Sequence, residues 1–245
     1  MSTAVPSAKK IDLHIHTTFS DGNCTVEEAV KTAEVKGLRV VAITDHYSEL
    51  QNLPKRMVQG QLPRYLQSLE GFNVLKGVEA EILPDGTPSI SKENADLLDI
   101  VIGGLHIIQG IVFWSDSTPI WNPRGFVEDI RVAFIKAMES GLLDVIAHAT
   151  WLPETIRGET SSLITDAWIE SVVDAASDCG VAVELNGAWK VPDERFVNEC
   201  LRRGVKLSIG SDAHFPSMVG EVGYAVDMLK NLNVPDNLIF LPRKS

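Results

Sequence analysis

The chain has 245 residues, 33 acidic against 22 basic side chains and a formal net charge of −11. With 44% hydrophobic and 22% charged residues, the composition excludes collagen, coiled coil and low-complexity disorder. The acidic balance argues against binding long duplex nucleic acid, and no apolar run reaches the roughly 18 residues of a membrane helix. The opening MSTAVPSAKK lacks the apolar stretch of a secretory signal. Cys24, Cys179 and Cys200 are odd in number and widely spaced. That pattern fits a reducing cytoplasm rather than a disulfide framework.

In chain order, short apolar runs alternate with amphipathic stretches. Strands are predicted at Ile11–His16, Leu38–Asp45, Asn73–Ile82, Asp99–Ile107, Asp144–Ala149, Val181–Asn186 and Lys206–Ser211. Helices are predicted at Val26–Lys36, Gly125–Ser140, Ser162–Cys179, Asp193–Arg203 and Ser217–Lys230. Gly37, Gly141, Gly180 and Gly204 end helices ahead of strands, as left-handed caps do. Tyr47–Gly71 is polar, holds Pro54, Gly60 and Pro63, and reads as a long loop with a helix, and Gln109–Pro123, with Gly110, Trp114, Pro119 and Trp121, reads as a lid or rim loop. About seven strand–helix units imply parallel pairing and a closed barrel near the size of a (β/α)₈ barrel. An open doubly wound sheet is the alternative, but no Gly-rich phosphate loop follows the first strand. No linker divides the chain, so residues 1–245 read as a single domain. The tail before Lys10 and the last few residues read as loose.

All six histidines fall at or just after the carboxyl end of a predicted strand: His14, His16, His46, His106, His148 and His214. In a parallel barrel those ends converge on one face, where active sites lie. In IDLHIH the period of two puts His14 and His16 on one strand face. Glu79 and Glu81 share a parity after the third strand, and Asp212 and His214 repeat the i, i+2 spacing after the last. Mixed imidazole and carboxylate donors suit zinc, manganese or iron, and the lack of nearby cysteine argues against a structural zinc site. So many donors exceed the needs of one ion, and two or three divalent ions are the economical reading.

The motifs HIHTTFSDG, TDH, GVEAEI, GGLH, IAH and SDAH resemble, in order and spacing, those of the polymerase and histidinol phosphatase (PHP) family, from about Ile11 to Gly223. The resemblance implies a distorted (β/α)₇ TIM-like barrel, a trinuclear metal centre and phosphoesterase chemistry. By motif, His14, His16, Glu79 and Asp212 would hold one ion. Glu79 would bridge to a second ion on His106 and His148. His46 and His214 would hold a third, and Asp21 stands where some relatives complete that site with histidine. No polymerase domain accompanies the motifs, and the insertion of nucleotide-phosphatase relatives is missing.

A hydroxide formed at the ions would be the nucleophile, since divalent ions bring the pKa of water from 15.7 to about 7. Asp21, His46 and His214 are candidates to give the leaving alkoxide its proton. Arg157 and Lys190 are the candidate phosphate clamps, because Arg and Lys grip phosphate well. Asn186, in register with Glu184, is a candidate support for the ligands. Trp151 and Trp189 either stack on a base or pack against loops. The substrate expected is a small phosphorylated metabolite or a short nucleotide. A metal-dependent amidohydrolase also opens with His-x-His, but usually bridges its metals with a carboxylated lysine, where this chain offers Glu79. A non-catalytic regulatory domain is the third reading, and the full ligand set counts against it.

Overall fold

A computed structural model of the chain describes residues 7–114 and 117–242. The strands are β1 (Ile11–Asp12), β2 (Val40–Ile43), β3 (His46–Tyr47), β4 (Leu75–Glu81), β5 (Ile100–Gly104), β6 (Ile107–Ile108), β7 (Ile111–Val112), β8 (Val145–Ile146), β9 (Ala182–Asn186) and β10 (Leu207–Gly210). The main sheet runs β1-β2-β4-β5-β8-β9-β10 with every pair parallel, and β3 prolongs β2 along β4. The two ends of this order meet. The Leu13 N–H donates to Ile209 O at 2.8 Å, and Ile15 bridges Ala213 in parallel. The sheet therefore nearly closes into a seven-position barrel, and the open doubly wound alternative is set aside.

The strands are buried on both faces, as parallel strands under helices must be. In β4, Val78 and Ala80 pack outward into the apolar layer while Glu79 and Glu81 share the other face. The helices are α1 (Val26–Val35), α2 (Leu62–Ser68), α3 (Lys92–Ala95), α4 (Pro123–Glu139), α5 (Glu154–Arg157), α6 (Thr160–Leu163), α7 (Asp166–Cys179), α8 (Glu194–Arg203) and α9 (Gly223–Asn231). α1 opens with a capping box, in which Thr25 and Glu28 satisfy each other's backbone N–H groups. α7 and α8 end on Gly180 and Gly204 in the left-handed region, as the cap pattern requires. α7 packs against both α4 and α8 around the outside of the barrel.

Most expected strands are shorter than their apolar runs, β1 and β8 being cut to two residues each, and three elements are broken or cut for a visible local reason. The helix expected over Ser162–Cys179 splits into α6 and α7. Thr165 caps a new start by accepting from Trp168 N, and Ile164 leaves the helical region. The helix expected from Ser217 begins only at Gly223, because Gly220 takes φ +77° and donates its N–H to Asp12 at 2.7 Å. The strand expected over Asp99–Ile107 stops at Gly104. The chain then forms an antiparallel β6–β7 hairpin at the start of the rim loop, whose residues 115–116 lie outside the described residues. Of the tails, Ala8–Lys10 form a 3₁₀ turn, and residues 1–6 and 243–245 lie outside the described residues. No helix among the described residues is long and apolar enough to cross a membrane.

Candidate metal centre

The carboxyl ends of the barrel strands bring all six imidazoles to one place. Glu79, buried on β4, lies at its middle. Its Oε2 faces His46 Nδ1 at 2.6 Å, His14 Nε2 at 3.4 Å and His16 Nε2 at 3.7 Å. Its Oε1 faces His148 Nε2 at 2.9 Å and His106 Nε2 at 3.4 Å. Asp212 Oδ1 lies 3.2 Å from His16 Nε2 and 3.9 Å from His14 Nε2. Asp21 Oδ1 lies 3.2 Å from His214 Nε2 and 3.4 Å from His46 Nε2. Every residue expected to bind metal is thus in the cluster, and Glu79 spans its two halves.

The donor atoms are poised for a cation. Nε2 of His14, both ring nitrogens of His16, Nδ1 of His46, Oδ1 of Asp21 and Oε2 of Glu79 are buried without a hydrogen-bond partner. Lone pairs left unmet in the interior are costly unless something binds them. Burial, helped by neighbouring imidazoles, lowers the pKa of His16 and His46, which favours the neutral ligating form. Burial pushes the Glu79 carboxyl up, but His106, His46 and His14 overrule it and hold it well below the usual carboxylate range. Asp212 is likewise penalised by burial and held ionised by His14 and His16. Three donor sets have ligating atoms within 4.8 Å of one another: His16, Asp21, His46 and His214; His14, His16 and Glu79; and His46, Glu79 and His106. The residues fit divalent metal ions.

A second layer fixes the ligands. Glu184 Oε1 lies 2.6 Å from His14 Nδ1, and its Oε2 accepts from His148 N at 2.9 Å. Asn186 Nδ2 donates to Glu184 Oε2 at 2.9 Å and to Asp212 Oδ2 at 3.1 Å, so it does support the ligands. Trp189 Nε1 also donates to Asp212 Oδ2, at 3.0 Å, leaving Oδ1 to the cluster. Glu81 lies 3.0 Å from His106 Nδ1. Such contacts set the tautomer and angle of each ring. Asp45 performs a different task. It accepts from Thr17 and Ser20 and ties down the loop that carries Asp21.

Backbone strain gathers here too. His148 and Asp212 both take positive φ, 32° and 54°, conformations that non-glycine residues rarely adopt and that concentrate at functional sites. Gly104 and Gly210 permit the crowding. A Cβ on Gly104 would stand 2.1 Å from Glu79 Oε1, and one on Gly210 would stand 2.2 Å from Glu184 Oε1.

Above the cluster lies a cavity of about 500 Å³. His46, His106, His148, Asp21, Asp212 and His214 form its floor. Trp151 and Trp189, stacked with centroids 4.3 Å apart, form one side. The two clamps expected from sequence do not line it. Arg157 Nε donates to Leu152 O at 2.9 Å, an Nη donates to Phe113 O at 3.4 Å, and the guanidinium lies against Trp151 and Trp189. Two of its N–H donors thus go to backbone carbonyls, and the side chain backs that aromatic wall rather than the cavity. Lys190 is exposed and outside the lining. The basic residues on the cavity are instead Lys55 and Arg56, which sequence reasoning missed inside a polar loop with no periodicity to single them out.

Comparison with known proteins agrees with this geometry. The model of the PHP domain matches residues 12–188. A protein of Caldanaerobacter subterraneus subsp. tengcongensis named a probable phosphatase is 29% identical over 240 residues, covering 94% of this chain and 85% of its own. A DNA polymerase/3'-5' exonuclease of Bacillus subtilis is 30% identical over 225 residues, 87% of this chain but 35% of the relative. Among solved structures, the histidinol phosphate phosphatase of Lactococcus lactis subsp. lactis, complexed with zinc, L-histidinol and phosphate, matches with a TM-score of 0.66. It is 19% identical, the match covers 91% of this chain and 93% of that one, and the likeness is one of fold. With the family model spanning well over half of the chain and its ligand motifs assembled in space, the protein belongs to the PHP domain family and is a metal-dependent phosphoesterase.

Proposed function

We propose that the protein hydrolyses the phosphate ester of a small metabolite or short nucleotide, using two or three divalent ions of zinc, manganese or iron. The observation that carries this reading is the convergence of six imidazoles with Asp21, Glu79 and Asp212 in one cluster, of which His46, His106, His148, His214, Asp21 and Asp212 line the cavity. His14, His16, Glu79 and Asp212 would hold one ion, Glu79 with His106 and His148 a second, and Asp21, His46 and His214 a third. Bound there, the ions would supply Lewis-acid polarisation of the phosphoryl group and a nucleophile at neutral pH.

The chain's own residues do the rest. Glu184, Asn186 and Glu81 keep the ligands aimed, so no reorganisation is needed as charge develops. The departing alkoxide would take its proton from a group at the third site, where Asp21 and His214 are more open than His46. The apolar side formed by Trp151 and Trp189 receives the organic part. A cavity of about 500 Å³ suits a ligand of metabolite or mononucleotide size. Histidinol phosphate, suggested by the Lactococcus lactis relative, belongs in the trial set. We place the protein in the cytoplasm as one domain, which the free thiols Cys24, Cys179 and Cys200 and one continuous buried core support.

The test is a panel of phosphate monoesters and diesters offered to protein reconstituted with Mn²⁺ or Zn²⁺. Phosphate release that disappears on chelation and returns with metal supports the reading. Amide or lactone hydrolysis with inert phosphate esters would turn it to the amidohydrolase class.

A further inference from the structure

We propose that Arg56, seconded by Lys55, is the cationic grip on the substrate's phosphoryl oxygens, and that it selects a dianionic monoester over a diester. The proposal rests on the phosphoesterase reading above and narrows it.

Arg56 lies in the loop between β3 and α2, beyond any repeating pattern, yet it is only 7% exposed. Three observations define its state. Its Nε donates to Glu81 Oε2 at 3.1 Å. Its guanidinium carbon stands 5.4 Å from the Trp114 ring centroid. Its two Nη groups have no hydrogen-bond partner among the described residues, and the side chain lines the cavity. Four N–H donors that meet no protein acceptor and face the cavity are free to take a ligand's oxygens. A planar fork fixed at one nitrogen and stacked on a ring is preorganised for the two oxygens of a phosphoryl group. Arg157 offers the contrast, since two backbone carbonyls tie it down and it does not line the cavity.

The position also suits the scissile phosphate rather than a remote one. Glu81, which holds Arg56, is 3.0 Å from His106 Nδ1, so a single carboxylate separates the grip from a metal ligand. Lys55 adds a second cation on the same wall. Two cations beside the ions match the nearly two negative charges of a monoester at neutral pH. A diester carries one charge and has an extra substituent where the fork would bind.

The experiment uses p-nitrophenyl phosphate and bis-p-nitrophenyl phosphate, which share a leaving group, with Mn²⁺-loaded wild type, Arg56→Met and Arg56→Lys. Inorganic phosphate binding by calorimetry and metal content by elemental analysis accompany the kinetics. Wild type should prefer the monoester. Arg56→Met should cut monoester kcat/KM by roughly 100-fold and phosphate affinity by at least about tenfold, with diester kcat/KM within about threefold and metal content unchanged. Arg56→Lys, which keeps the charge without the fork, should recover part of both losses. Equal losses on the two esters with unchanged phosphate affinity, no loss at all, or loss of metal from Arg56→Met would overturn the grip. If wild type cleaves neither ester but Arg56→Met still weakens phosphate binding, the grip stands and the phosphoesterase reading falls.

Discussion

The floor of the cavity comes from strand ends and its walls come from loops. At and beneath the floor, Glu79 is placed by β4, Asn186 and Glu184 by β9, and Asp212 by the turn leaving β10. Glu184 and Asn186 are each fixed twice, by the strand ladder beneath them and by the hydrogen bond between them, and Asn186 passes that order to Asp212. On the walls, Lys55, Arg56, Trp114 and Trp189 lie between elements, and Arg56 is held by a single carboxylate and one ring. Rigid scaffolding is spent on the reacting centre, and adaptable loops face the part of the substrate that varies. Changes to the floor should therefore abolish chemistry and metal together, whereas changes to the walls should alter which ester is preferred.

That contrast can be broken from either side. Glu79→Ala removes the carboxylate shared by both halves of the cluster and should lower kcat/KM on the order of 10³-fold, with bound metal lost in parallel. Gly104→Ala forces a Cβ into Glu79 and should resemble a milder form of it, losing about 10- to 100-fold and reading as reduced metal occupancy. Glu184→Gln, which loosens His14, should cost about 10- to 100-fold in metal affinity or activity while the fold persists by circular dichroism. Chelation should leave buried donors unmatched and lower Tm by about 5–10 °C, the effect of removing a ligand held at 100 times its Kd. At the wall, Trp114→Ala removes one stacking partner of Arg56 and should raise KM by about threefold with kcat little changed, as a cation–π contact of under 1 kcal/mol would.

The same division explains what was legible in the sequence. The strand–helix alternation made the barrel legible, and the i, i+2 spacing of His14 and His16 and of Asp212 and His214 at strand ends made the cluster legible, because strand period and ligand chemistry are local properties. Glu81 showed its parity but not its task, since holding His106 and Arg56 depends on contacts 25 residues apart in sequence. That the expected clamps Arg157 and Lys190 stand outside the cavity lining was hidden for the same reason. Arg157 and Arg56 are equally plausible as residue types, and only the fold reveals that carbonyls of Leu152 and Phe113 claim one while the cavity is left to the other. The break between α6 and α7 was hidden because Ile164 keeps the apolar pattern while its backbone leaves the helix.

Metal stoichiometry tests the central claim most directly. Wild type and Glu79→Ala would be expressed and purified side by side, loaded with Mn²⁺ or Zn²⁺, desalted and measured by elemental analysis, with phosphate release recorded on the same samples. The account predicts two or three ions per wild-type chain, at most one in Glu79→Ala, and phosphate release only where the ions remain. A wild-type chain that binds no more than one ion, or a Glu79→Ala chain that keeps both its full complement of ions and its activity, would contradict it.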